Sequence, residues 1–217
     1  GRDVADFPKM LPSDVRFSGL IDYDRSKNYR FLISSQNNQI YLFDKKGNNL
    51  SEWGPKKIEK EIIRSPQHFK MGGKDYFIVF LADGAVQVFN RKGDLLNIFH
   101  TKEKKVFSGN FYLESGMSST TTYLYYISKE GVVVKQNMKG EILTTNNILR
   151  GKNSEFIMER IVNSDKFYLY RVDVDKIAVF NMEGTIIFEK QNSGSTNFNF
   201  QCIETVNNEV VFSFFDV

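Results

Sequence analysis

A glycine recurs every 44 to 47 residues, the later ones close one short phrase, and four strand-like runs fill each full interval. Together these predict an all-β fold: a β-propeller of four-stranded antiparallel blades with a repeat of about 46 residues, incomplete or partial in this stretch. The glycines are Gly1, Gly47, Gly93, Gly140 and Gly184. The phrases are Phe43-Asp44-Lys45-Lys46-Gly47, Phe89-Asn90-Arg91-Lys92-Gly93, Gln136-Asn137-Met138-Lys139-Gly140 and Phe180-Asn181-Met182-Glu183-Gly184.

Each phrase reads as a turn. The short side chains of Asp44, Asn90, Asn137 and Asn181 can accept a hydrogen bond from a backbone N–H two residues on, and the glycine three residues later takes a positive φ at no steric cost. The chain therefore reverses in a hairpin at Gly47, Gly93, Gly140 and Gly184.

The strands, A to D in each blade, follow from aromatic and β-branched runs of strand length between turn residues. Strand A is read at 17–22, 67–71, 110–114, 156–161 and 200–205. Strand B is read at 29–34, 75–80, 123–128, 167–172 and 209–217. Strand C is read at 39–43, 85–89, 132–136 and 176–180, and strand D at 49–53, 95–99, 141–145 and 185–189. The whole of 1–217 is then one propeller segment. Residues 1–14 are the outer strand of a preceding blade, 15–54, 61–100, 107–146 and 155–190 are blades, and 198–217 are the first two strands of a further one. Residues 3–8 align with 49–54, so the chain reads as a segment of a larger protein whose end strands dock on sequence outside it.

Composition bounds the rest. The chain has 217 residues, enough for a substantial core, and its 41% hydrophobic and 14% aromatic content suits packing between sheets. Cys202 is the sole cysteine, in the apolar context Phe200-Gln201-Cys202-Ile203, which excludes an intramolecular disulfide and a cysteine metal cluster. A net charge of +3 is too mild to imply nucleic acid. No apolar run reaches the length of a membrane span, and no signal peptide opens the chain.

The residues Tyr29-Arg30-Phe31, the run Gln39-Ile40-Tyr41-Leu42-Phe43-Asp44-Lys45-Lys46-Gly47 and the run from Pro66 to Tyr76 resemble uncharacterised propeller regions. Those regions form the C-terminal part of large envelope-associated proteins of Bacteroidetes-type bacteria. More loosely, the blades are similar to quinoprotein and WD-type propellers. The resemblance implies blade geometry and an envelope or periplasmic location, and no chemistry. Trp53 is the only tryptophan, so neither the Trp-Asp dipeptide of WD repeats nor the regular tryptophan pattern of quinoproteins occurs, and no cofactor is expected.

Candidate binding residues are few. Lys56, Lys57 and Lys60, then Lys102, Lys104 and Lys105, fall about one repeat apart in the loops from strand D to the next strand A. They suggest a basic patch for a phosphate, a glycan acid or an acidic protein, although solvated loop lysines interrupted by Glu59, Glu61 and Glu103 are the more ordinary reading. His68, in a strand A, is a candidate general base near Glu159 and Arg160 of another inner strand, against the alternative of a structural histidine. His100 stands apart from it, so no two-histidine metal site is expected. The run from Asp22 to Asn28 alternates oxygen ligands as calcium loops do, but Arg25 and Lys27 intervene, and an A–B turn is the better reading. Asp173 and Asp175 are read the same way, and Ser193-Gly194-Ser195 lacks a nucleophile elbow. No catalytic set is present, so the expectation is a non-catalytic binding scaffold of a larger bacterial protein that uses its propeller loops to contact a protein or an envelope polymer. The alternative is an accessory, glycan-binding propeller of an enzyme whose active site lies elsewhere.

Overall fold

The computed structural model describes residues 10–23, 27–102, 108–128, 130–151, 153–161, 166–192, 198–207 and 209–216. The first read strand, at residues 3–8, lies outside them. Among the described residues eighteen strands follow in chain order: β1 Val15–Ile21, β2 Arg30–Ser35, β3 Gln39–Phe43, β4 Lys56–Lys57, β5 Gln67–Met71, β6 Lys74–Phe80, β7 Ala85–Asn90, β8 Leu95–His100, β9 Ser108–Glu114, β10 Tyr123–Ile127, β11 Val132–Asn137, β12 Ile142–Asn147, β13 Glu155–Arg160, β14 Phe167–Val172, β15 Lys176–Phe180, β16 Ile186–Gln191, β17 Phe198–Glu204 and β18 Val210–Asp216. Four sheets of four strands, each paired in sequence order, are followed by the two-stranded β17–β18 sheet, and every pairing is antiparallel. No helix among the described residues is long and apolar enough to cross a membrane.

The chain divides into two compact units: residues 1–106 with 115–118, and residues 107–114 with 119–217. In the first unit the sheets β1–β4 and β5–β8 share a core that includes Leu32, Ile40, Leu42, Trp53, Phe77, Val79 and Phe89. In the second, Tyr112, Tyr125, Ile127, Phe156, Phe167, Leu169 and Phe180 join β9–β12 to β13–β16, and Tyr170, Val179 and Phe200 join β13–β16 to the hairpin. In the second unit β14 and β15 are therefore covered on both faces, and β6, β10, β14 and β15 read as nearly continuous apolar runs.

One turn recurs in all four complete sheets. The side-chain oxygen of Asp44 accepts N–H bonds from Lys46 and Asn48. That of Asn90 accepts from Lys92 and Asp94, that of Asn137 from Lys139 and Glu141, and that of Asn181 from Glu183 and Thr185. Gly47, Gly93, Gly140 and Gly184 have φ of 77°, 80°, 93° and 82°, a region in which an L side chain crowds the backbone.

A β-bulge follows each turn in three sheets. Val88 pairs with Asn97 but Phe89 with Leu95, so Leu96 is left unpaired; Leu143 and Ile187 are skipped in the same way. Leu50 occupies the same place, three residues after the turn glycine, and there the first sheet departs from the repeat.

The strand read at 49–53 is not formed. Only Asn49 bridges to Phe43; Trp53 and Gly54 then both donate backbone N–H bonds to the Leu50 carbonyl, folding 50–54 into a turn. The fourth strand is delayed to β4, two residues long, against Gln39 and Ile40. The physical reason is Trp53, whose large ring gains more by burial in the core than by lying on an outer strand; it is 1% exposed.

Candidate functional site

The departure at 50–54 opens a cleft in the first unit. Its volume is about 230 Å³, and Tyr23, Arg30, Leu50, Ser51, Glu52, Trp53 and Arg91 line it. Tyr23 comes from the β1–β2 turn, Arg30 from the start of β2 and Arg91 from the β7–β8 turn. In an up-and-down sheet, the turns between first and second and between third and fourth strands share one end. The cleft thus sits at the opposite end of the sheets from the connections between one sheet's fourth strand and the next sheet's first, and its Tyr23 belongs to the run from Asp22 to Asn28.

Asp75, buried at the start of β6, organises the wall behind it. Its Oδ1 lies 2.8 Å from Nε2 of His68 and 3.9 Å from Nζ of Lys70, while Arg91 Nη1 donates to Oδ2 at 3.3 Å. The Arg91 guanidinium lies 4.4 Å above the Tyr23 ring, a cation–π arrangement. Tyr23 meets His68 and Phe77 edge to face, with ring centroids 5.2 and 6.2 Å away. Trp53 Nε1 donates to the Arg91 carbonyl at 2.8 Å and its ring meets Phe77 at 4.9 Å. Burial pushes the Tyr23 hydroxyl up to about 12, with Arg91 pulling the other way, so the phenol is a neutral donor across the physiological range.

The sequence-derived candidates belong to several elements. Lys56 and Lys57 belong to β4 and not to a loop, and the aliphatic stem of Lys56 lies against the Gly93 turn. Lys60 is exposed in the following loop and Lys102 is exposed beyond the end of β8. Lys104 and Lys105, with Glu103, lie outside the described residues, as do Asp24 to Ser26 and Ser193 to Ser195. Asp22 accepts the backbone N–H of Lys27, closing the β1–β2 turn. His68 is tied to Asp75, and it belongs to the first unit whereas Glu159 and Arg160 belong to the second. In that unit Arg160 lies 5.7 Å from the Tyr112 ring centre, and burial raises the Glu159 carboxyl above its ordinary value. Asp175 is exposed, while Asp173 is buried: its Oδ2 accepts from Arg171 Nε at 2.9 Å and its Oδ1 from the Ser154 hydroxyl. Among the described residues no three of His, Cys, Asp and Glu converge as a metal site would require.

Asp75, Arg91, Tyr23 and Arg30 were not legible as a group because they come from four separate places: β6, the β7–β8 turn, the β1–β2 turn and β2. One signal was present: Asp75 opens the otherwise apolar run Asp75-Tyr76-Phe77-Ile78-Val79-Phe80, where a carboxylate needs partners.

No family model matches the chain, and no curated protein matches it in sequence. Solved structures match it in fold. BBS1N, in the crystal structure of BBS1N in complex with ARL6DN soaked with mercury, superposes with a TM-score of 0.59 at 9% identity, covering 88% of this chain and 59% of that one. The lead-soaked crystal gives 0.57 at 9% identity, with 89% and 58% covered. BamB from Moraxella catarrhalis superposes at 0.48 with 18% identity, over 88% of this chain and 52% of that one. The chain thus spans about three fifths of the length of the BBS1N chain. At such identity the likeness shows the fold alone: this is an all-β chain of the propeller class, built from four-stranded antiparallel blades.

Proposed function

We propose that this chain is a non-catalytic interaction scaffold of a larger bacterial envelope protein, binding a protein or an envelope polymer through its exposed strand surfaces. The observation that carries this reading is the apolar character of the outer strands. β8 exposes Leu95, Leu96 and Ile98, β12 exposes Ile142 and Leu143, and β16 exposes Ile186, Ile187 and Phe188. Leu96 and Ile187 are 52% and 45% exposed and fall at the same bulge position of their sheets. A recurrent run of large apolar side chains on outer strands is what a partner surface covers.

The fold is compatible with that role, since the BBS1N structure of the same fold class is a complex with ARL6DN. The envelope location is supported by the resemblance of 29–47 and 66–76 to propeller regions of envelope proteins. The test is affinity capture of the tagged full-length protein from its native cells, beside a Leu96→Asp/Ile98→Asp variant and an Ile187→Asp variant of unchanged melting temperature. One stoichiometric partner, retained by the native protein and lost by a variant, is the expected result. Retention of nothing by the native protein, or equal retention by all three, rejects the reading.

A further inference from the structure

Two residues that line the cleft in the first unit each carry a buried polar atom with no hydrogen-bond partner among the described residues: the Tyr23 hydroxyl and Nε of Arg30. Buried polar atoms are nearly always paired, so two unpaired ones around one cavity point to a third body inside it. Tyr23 is only 4% exposed and its ring is clamped between Arg91, His68 and Phe77. The hydroxyl therefore cannot swing out to bulk water to satisfy itself.

We infer that this cleft is a carboxylate-binding site, in which the Tyr23 hydroxyl and the guanidinium groups of Arg30 and Arg91 donate to the two oxygens of a carboxylate from a small organic acid or an acidic peptide side chain. The charge on the wall fits a monoanion. Two arginines face one carboxylate, Glu52, leaving an excess of one positive charge, while Asp75 behind the wall is shared among His68, Arg91 and Lys70. A phosphate dianion would leave the wall with an uncompensated negative charge. Arginine supplies planar, charge-assisted donors of the geometry a carboxylate accepts.

The donors are also held in place before any ligand arrives, which lowers the entropic cost of binding. Asp75 engages Arg91 Nη1 and the Tyr23 ring supports the guanidinium from below, yet the Arg91 side chain is 52% exposed and reachable. Arg30 is fixed through Nη1, which donates to the Asn28 and Tyr29 carbonyls and to the Asn28 side chain. Leu50 and Trp53 supply an apolar wall for the methylene carbons that carry the carboxylate. This site is separate from the outer-strand surface, and either can fail without the other.

Trp53 is the only tryptophan in the chain and lines the cleft, so its fluorescence reports occupancy directly. The experiment titrates the intact protein with glutarate and, separately, with an acetylated, amidated tripeptide containing glutamate. The glutamine tripeptide and inorganic phosphate are the controls. The expected result is a saturable change with glutarate or the glutamate peptide, weakened about tenfold or more by Tyr23→Phe and by Arg91→Gln, and absent with the glutamine peptide. A response to glutarate alone assigns the free acid as source, and one to the peptide assigns an acidic segment. Arg30→Gln replaces Arg91→Gln if loss of the Asp75 contact unfolds that variant. Three outcomes overturn the assignment: no saturable change with either carboxylate, an equal response to phosphate or to the glutamine peptide, or unaltered affinity in both variants.

Discussion

The indole N–H of Trp53 donates to the backbone carbonyl of Arg91 at 2.8 Å, joining the first sheet to the turn of the second across 38 positions of sequence. The ring also packs on Phe77 and Phe89. Trp53→Phe keeps most of the packing and strands the carbonyl, so we expect a loss of about 1–3 kcal/mol in urea unfolding. Trp53→Ala removes the ring as well and should cost about 3–5 kcal/mol. Losses within a few tenths of a kcal/mol of zero for both would mean that this residue is not a core anchor.

Gly93 and Gly184 have the same backbone conformation, with φ of 80° and 82°, but different neighbours. A Cβ on Gly93 would stand 2.7 Å from Lys56 Cε and 3.1 Å from the Trp53 ring, whereas one on Gly184 would meet only Asn146 at 3.4 Å. The lysine can move, but the buried indole cannot. Alanine at either site bears the strain of a positive φ, about 1–2 kcal/mol. Only Gly93→Ala adds the collision with Trp53. Thermal melting should therefore rank Gly93→Ala clearly below Gly184→Ala, and equal melting points would refute the placement of Trp53 over the turn.

The same pair shows what was legible in the sequence. The period of the turn phrase, with strand-length apolar runs between, carried the blade architecture, because each D/N-x-x-G turn is a local hydrogen-bonding unit that short-range pattern can reveal. The bounds of β5, β3, β14 and β15 coincide with the runs as read. What failed was the one place where a tertiary contact overrides the repeat: 49–53 aligns with the other outer strands, yet burial of Trp53 turns the chain inward. The cleft was missed for the same reason. Its wall is assembled from Tyr23, Arg30, the 50–53 turn and Arg91, and no spacing rule links residues that meet only through the packing of two sheets. The lysines show the opposite case: a regular spacing is legible, Lys56 is laid against a neighbouring turn, and Lys104 and Lys105 lie outside the described residues.

Arg171 and Asp173 form a buried ion pair in the second unit, and Ser154 donates to the same carboxylate. Arg171 also donates to the Leu149 carbonyl. Asp173→Ala leaves a buried guanidinium with one partner fewer and should destabilise by about 3–5 kcal/mol. Replacing both residues by apolar ones of similar volume, Arg171→Met with Asp173→Leu, should cost less than the single change, since no orphan charge remains. Chemical denaturation of the three variants checks this. A double variant less stable than Asp173→Ala would show that the pair contributes net stability and is more than self-compensating.

Cys202 is buried in β17 at 1% exposure, and burial pushes its thiol from an ordinary 9.0 up to about 11. In the unfolded chain the thiol loses its proton near pH 9, while the native protein holds it until about pH 11. Between those values the native state binds more protons than the unfolded state, so stability is fully present below pH 9 and falls as pH rises. Tyr23, Tyr125, Tyr168 and Tyr170, whose hydroxyls burial also raises from 10.0, add to the fall as pH approaches and passes 10, so the thiol's share is the difference between the native protein and Cys202→Ala. Denaturant titrations from pH 9 to about 11 should show declining stability in the native protein and a flatter profile in Cys202→Ala. In parallel, an aromatic disulfide reagent at pH 8 should label the native thiol far more slowly than the thiol of the denatured chain, because the reactive species is the exposed thiolate. Native labelling at the denatured rate, or the same pH slope in both proteins, would place Cys202 at the surface and remove it from the core that binds the hairpin β17–β18 to its neighbouring sheet.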